Sequence, residues 1–233
     1  MLPKRLFAII LGTALAAMGM PVARAQWVPT NGPNSGDISA IFVDSSSVIA
    51  VDWDNDVFRS TDLGNSWVHE GQGLPNPYIW AIYDGGDNLF AATESNGIYR
   101  TSKNRWLWVP CDSGIKGREI LSITSLGSYM VAASYGGAGI YRSSDSGLSW
   151  LPSATGLSDS FVHAVITMGT SLYAGTDSGS FVSIDSGRSW MLIDSTLHKL
   201  SVQSITQNEG ILFAGVWGGG VFRSSDSGKH WSA

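Results

Sequence analysis

The pattern Ser-x-Asp-x-Gly-x-x-Trp recurs along this chain at nearly constant spacing, and any fold it adopts must accommodate that repetition. It stands at Ser60 to Trp67, Ser143 to Trp150, Ser183 to Trp190 and Ser224 to Trp231. A degenerate copy runs from Thr101 to Trp108, with Lys103 and Arg105 in place of the Asp and the Gly. Trp to Trp, the intervals are 41, 42, 40 and 41 residues. Repeats of this period signify an array of like units.

Cut at each tryptophan, the chain gives five units: 27–66, 67–107, 108–149, 150–189 and 190–230. Each holds a short apolar run in which a small residue precedes Ile or Val: Ala40-Ile41, Ala81-Ile82, Ser122-Ile123, Ala164-Val165 and Ser204-Ile205. A turn and a second run follow, such as Leu89-Phe90-Ala91-Ala92, then a Gly-rich loop, a third run such as Gly97-Ile98-Tyr99-Arg100, and the box. With the residues after the Trp, that makes four short strands per unit. Four strands in about 41 residues, repeated in series, predict an all-β fold, a β-propeller of about five four-stranded blades. The small residue suits the innermost strand, where blades crowd together. Solenoid repeats use fewer strands in fewer residues.

Residues 1–25 form a separate object. Lys4 and Arg5 precede an apolar run from Leu6 to Met20, and Ala23-Arg24-Ala25 offers a cleavage site. This predicts a signal peptide at 1–25, a propeller domain at 26–233, and a secreted or periplasmic, envelope-associated protein. The run is shorter than the ~20 residues of a spanning helix, so no membrane span is expected after cleavage. Gln26-Trp27-Val28-Pro29 aligns with the strand after each box, and the chain ends at Trp231-Ser232-Ala233, where that strand begins. The N-terminal strand is therefore expected beside Val221 to Ser224, closing a five-bladed ring; the alternative is a fragment of a larger propeller.

Removing Lys4, Arg5 and Arg24 from 14 basic residues leaves 11 against 19 acidic ones, a net charge of −8. Such a chain is not expected to bind nucleic acid through its phosphates. The single cysteine, Cys111, has no internal disulfide partner and reads as a buried or half-buried thiol.

Within the box, the Asp can accept hydrogen bonds from backbone N–H groups of its own turn. Gly permits a positive φ. Trp buries a broad apolar face with its indole N–H directed to a neighbouring turn. Asp62, Gly64, Trp67, Asp145, Gly147, Trp150, Asp185, Gly187, Trp190, Asp226, Gly228 and Trp231 are therefore assigned structural roles. These boxes resemble the Asp-box, or bacterial neuraminidase repeat, of sialidases, sortilin-type receptors, xyloglucanase-type hydrolases and photosystem II assembly factors. The resemblance spans essentially residues 27–233. It implies a propeller with the boxes between third and fourth strands, opposite the face that bears activity. It does not fix a function.

A sialidase would need an arginine triad, yet Arg59, Arg100, Arg142 and Arg223 share one blade position before the box. That repetition points to a structural role. The place to seek function is the loop between second and third strands, which reads Trp53, Glu94, Tyr135, Asp177 and Trp217 around the ring. Flat apolar faces alternating with carboxylates suit a carbohydrate or a peptide, and these five are the candidate ligand-binding residues. Glu94 and Asp177 are the candidate catalytic pair should the protein be a glycoside hydrolase. No cofactor or metal is expected; Asp52, Asp54 and Asp56 in one loop offer hard oxygens for Ca²⁺, against the alternative of a solvated acidic turn. His163 aligns with Ser39, Trp80, Leu121 and Gln203 in the innermost strand and is expected to line the channel. The function expected is a non-enzymatic propeller that binds a protein or glycan, with a carbohydrate-active hydrolase as the alternative.

Overall fold

The computed structural model describes residues 29–30, 32–33, 37–43, 46–54, 56–74, 78–193 and 196–233. The chain folds as an all-β propeller of five blades. Blade one comprises β1 (Ile38–Val43), β2 (Val48–Asp52), β3 (Val57–Ser60) and β4 (Val68–His69). Blade two comprises β5 (Ile79–Asp84), β6 (Asn88–Thr93), β7 (Ile98–Ser102) and β8 (Val109–Pro110). Blade three holds β9 (Ile120–Leu126), β10 (Tyr129–Ser134), β11 (Ile140–Ser143) and β12 (Leu151–Pro152). Blade four holds β13 (Val162–Met168), β14 (Ser171–Thr176), β15 (Gly179–Ser183) and β16 (Met191–Leu192). Blade five has β17 (Val202–Asn208), β18 (Ile211–Val216) and β19 (Gly220–Ser224), extended by a bridge from Arg223 to Ser232. Every sheet is an antiparallel meander in chain order. Among the described residues, no helix is long and apolar enough to cross a membrane.

Strands β1, β5, β9, β13 and β17 lie innermost, and each packs against the next along the series. No comparable packing joins β17 to β1. The expected closure by Trp27 falls outside the described residues, as does the leader at 1–25. At the edge expected for that strand, Ser232 exchanges backbone hydrogen bonds with Arg223 at 2.8 and 2.9 Å.

Among the described residues the core consists of four inter-blade clusters rather than one central mass. Ile49, Val51 and Val57 of blade one meet Ile79, Leu89, Ala91 and Trp108 of blade two. The next junctions repeat this with Phe90, Ala92 and Ile98 against Ile123, Met130, Ala132 and Trp150, and with Val131, Ala133 and Ile140 against Val165, Leu172, Ala174 and Trp190. Alternation along β2-type strands explains the pattern, since successive side chains point to opposite faces. Trp108, Trp150 and Trp190 are fully buried. Their indole N–H groups donate to the carbonyls of Glu70, Cys111 and Ser153 in the preceding blade, at 3.0, 3.0 and 2.9 Å. The box tryptophan therefore ties one blade to the one before it.

The boxes form the turns between third and fourth strands. In blade three, Asp145 Oδ1 accepts from the N–H of Leu148 and Ser149, and Oδ2 accepts from the Ser149 hydroxyl. Ser143, buried, donates its hydroxyl to Asp145 Oδ1 and accepts from the Gly147 N–H. Apart from the Leu148 N–H bond, which is matched at Asp185 by that of Arg188, the same set recurs around Asp62, Asp185 and Asp226, with His230 in place of the final serine around Asp226. Gly147 has φ 80°, and Ser146 before it also takes a positive φ of 57°. Hydrogen bonds from Ser66 and Ser60 hold the Asp62 carboxyl down at about 2, and those from Ser149 and Ser143 do the same for Asp145. For Asp185 desolvation pulls upward, but bonds from Ser189 and Ser183 outweigh it and the value again falls to about 2. In the degenerate copy Trp106 carries the positive φ instead, and Lys103 pairs with Asp84 at 2.8 Å.

Arg59 pairs with Glu70 at 2.8 Å and lies over the Trp106 ring, while Arg142 lies over Tyr129 at 3.5 Å. Both are roles within the blade framework. Cys111 is buried, and desolvation pushes its thiol up to about 12.

Candidate functional site

The face opposite the boxes is built by one irregularity repeated five times. Each innermost strand carries a β-bulge, and the residue skipped in the pairing is Ser39, Trp80, Leu121, His163 or Gln203. A bulge bends its strand and re-aims the extra side chain. The column expected to line the channel is thus set apart from the ladder at every position.

Beside each bulge, the loop after the second strand closes onto the start of the innermost strand of its own blade. The N–H groups of Trp53, Glu94, Tyr135, Asp177 and Trp217 donate to the carbonyls of Asp37, Tyr78, Glu119, Phe161 and Ser201, at 2.8–3.3 Å. The five candidate ligand-binding residues therefore occupy one equivalent position on one face.

Side chains in this layer then meet across blade boundaries in a fixed register. Trp53, Tyr135 and Asp177 each approach the residue just before the innermost strand of the following blade. Trp53 packs edge-on to Tyr78 with centroids 5.3 Å apart, and to Trp80 at 6.3 Å. Tyr135 meets Phe161 at 4.8 Å and His163 at 5.6 Å. Asp177 Oδ1 accepts the Ser201 hydroxyl at 2.5 Å. Between the aromatic pairs, Glu94 and Glu119 face one another electrostatically: burial and then the Glu94 charge raise the Glu119 carboxyl above the usual range.

His163 has a side chain only 7% exposed, and its Nε2 lies 2.8 Å from Asp177 Oδ1. Gln203 Nε2 sits 3.0 Å from the same ring nitrogen and donates to Ser201 Oγ at 2.6 Å. Histidine, aspartate and serine are thus in contact, but the carboxylate stands between the other two. A nucleophilic triad needs the imidazole in the middle, taking the hydroxyl proton. This arrangement instead crosslinks blades four and five.

For the candidate catalytic pair, Glu94 and Asp177 share the face with blade three's Tyr135 between them in chain order. Asp177 is engaged by His163 and Ser201, whereas Glu94 has Glu119 as its acidic neighbour. Reading along the loop column missed Glu119 because it belongs to a second column: Asp37, Tyr78, Glu119, Phe161 and Ser201 precede the innermost strands. Aligning those positions would have found it. At the candidate Ca²⁺ loop, Asp52 is buried and its Oδ1 accepts from the N–H of Asp54 and Asp56, while Asp56 reaches His69 at 2.7 Å. No grouping of His, Cys, Asp and Glu suited to a metal occurs among the described residues.

No family model matches the chain, and no curated protein matches it by sequence. Solved structures do match. An ancestral GH74 enzyme superposes with a TM-score of 0.68 at 18% identity, over 90% of this chain and 32% of that one. YCF48 bound to D1 peptide gives 0.64 at 18%, over 86% and 69%. The extracellular domain of a hybrid two-component system from B. thetaiotaomicron gives 0.68 at 15%, over 87% and 28%. At such identities the likeness shows the fold alone. The chain spans about a third of the GH74 enzyme and about two thirds of YCF48.

Proposed function

We propose that this protein is an exported, non-enzymatic propeller of Asp-box type that binds a protein or glycan on its loop face. The observation that carries this reading is the cross-blade layer, in which the aromatic pairs Trp53–Tyr78 and Tyr135–Phe161 flank the carboxylates Glu94 and Glu119. Partly exposed rings supply flat apolar area at low entropic cost, and carboxylates accept from sugar hydroxyls or basic side chains. The box aspartates, by contrast, take up their hydrogen bonds within their own turns. Trp217, 64% exposed, extends the same surface into blade five. The peptide-bound YCF48 shares this fold, which makes a peptide ligand a concrete instance.

The test is a binding screen of the purified protein against a glycan array and envelope extract, repeated with the Trp53→Ala, Trp217→Ala double variant. Loss of partners with an unchanged melting temperature supports the reading; unchanged partners remove this face from consideration. A second reading, glycoside hydrolysis, rests on Glu119 standing beside Glu94 in the loop layer, since such chemistry uses a pair of carboxyl groups. It requires turnover of a polysaccharide that Glu94→Gln and Glu119→Gln each abolish, and a panel without turnover dismisses it.

A further inference from the structure

The box turn keeps its pattern in four blades and departs from it in blade two, where Lys103 and Arg105 replace the Asp and the Gly. Lys103 reaches outside its own turn. Its amine pairs with Asp84 at 2.8 Å, and its N–H donates to the Asp87 carbonyl at 3.2 Å. Both partners belong to the turn from Asp84 to Asn88, which joins β5 to β6. Asp84 Oδ1 also accepts from the Gly86 N–H at 2.9 Å, so this turn is braced from within and from the degenerate box.

That turn forms one wall of a cleft of about 420 Å³ between blades two and three, at the same end as the boxes. The turn from Ser125 to Tyr129, between β9 and β10, forms the other wall. Buried Phe90 and Met130 lie beneath, and Gly147 of the blade-three box packs against both. Two half-buried tyrosines line the cleft, and each is fixed by a contact of its own. The Tyr83 hydroxyl donates to Ser125 Oγ at 2.6 Å, across the blade boundary. Tyr129 is covered on one face by Arg142, which is not itself part of the lining. Arg142 Nε and Nη2 are buried without a hydrogen-bond partner, so the ring is what this guanidinium holds. Where blade two carries Tyr83-Asp84, blades three, four and five carry Thr124-Ser125, Ile166-Thr167 and Thr206-Gln207. The cleft is thus built from residues in which blade two differs from its copies.

We propose that this cleft binds a short neutral saccharide, at a site separate from the loop face. Tyrosine rings held in place offer flat area to the C–H faces of a sugar ring at little entropic cost. Asp87 and Asn88 line the cleft, and their side chains make no hydrogen bond among the described residues. A carboxylate next to an amide can accept from one sugar hydroxyl and donate to its neighbour, with the Ser128 and Ser146 hydroxyls adding to both kinds. Lys103 meets the charge of Asp84, and apart from Asp87 the rest of the lining is uncharged, which suits hydroxyls better than a cation. An anion would face two carboxylates. A wholly apolar ligand would strip water from Asp87 and Asn88 and give nothing back. The volume lies within the roughly 300–1,000 Å³ of small-ligand pockets.

The test is saturation-transfer NMR on the full chain, with lactose, cellobiose, maltose and chitobiose at millimolar concentration as probes. Expected is transfer to the ring C–H protons of at least one of the four. Asp87→Ala and Tyr129→Ala should each weaken that binding by about tenfold or more. Asp87 is exposed, so its variant should keep the wild-type melting temperature and carries the test even if Tyr129→Ala folds poorly. Absence of transfer from all four probes overturns the proposal, and so does transfer that Asp87→Ala leaves unchanged. Transfer abolished by Trp53→Ala with Trp217→Ala but not by Asp87→Ala would move the sugar to the loop face, overturning this site while supporting the other.

Discussion

At one end of four of the five blades the Ser-x-Asp-x-Gly-x-x-Trp turn closes on itself, whereas at the other end the loop residues Trp53, Tyr135 and Asp177 are completed by the blade that follows. Asp145 takes its hydrogen bonds from residues three and four positions away. Asp177 takes one from Ser201, 24 positions away, and Trp53 packs on Tyr78 of the next sheet. A self-contained turn works equally in every blade, so its sequence can be copied. A junction-completed layer depends on two blades at once and is free to differ at each boundary. Repetition therefore marks the end that holds the fold, and variation marks the end where the proposed binding surface lies.

The largest expected effect comes from the box residue that ties one blade to the one before it. Trp150→Ala removes a fully buried indole and its bond to the Cys111 carbonyl, and should cost about 3–5 kcal/mol in urea denaturation. Trp67→Ala, at a half-buried site of blade one, should cost clearly less. Equal losses would contradict the junction argument.

Next comes Gly114→Ala. Gly114 has φ 89°, and a Cβ there would run into the Trp150 carbonyl, as at Gly73 and Gly156 against Trp108 and Trp190. Both backbone conformation and contact oppose the substitution, which should destabilise by more than about 1 kcal/mol.

Acid should then separate the two ends. Asp62, Asp145 and Asp185 have folded values near 2 against an ordinary 3.8, so their contribution is complete above 3.8 and fades as pH falls toward 2. Denaturation midpoints should decline across that window, and Asp145→Asn should flatten the decline. A midpoint independent of pH there would show that the box bonds do not stabilise the native state.

Smallest for stability, and decisive for function, is Tyr135→Ala. Partly exposed, it should shift stability by no more than about 1 kcal/mol while weakening partner capture. Loss of stability without loss of binding would make the loop layer structural like the boxes.

Strand count, blade order and the internal bonding of the boxes were legible because each depends on residues close in sequence. The buried serine that begins each box was not anticipated, though Ser60, Ser143, Ser183 and Ser224 were in plain view. A hydroxyl gains its meaning only when donor and acceptor directions are known. Glu119 escaped for a different reason: its column holds Asp, Tyr, Glu, Phe and Ser, with no shared chemistry to attract notice.

The lone thiol offers a way to watch the second and third blades part. Cys111 sits under Trp150 with its proton held to about pH 12, so an alkylating reagent reaches a reactive thiolate only when that seam opens. Its labelling rate is thus a built-in clock for separation of two neighbouring blades, requiring no engineered probe. Compared with the rate of global unfolding, it would tell whether the arc comes apart one blade at a time or all together.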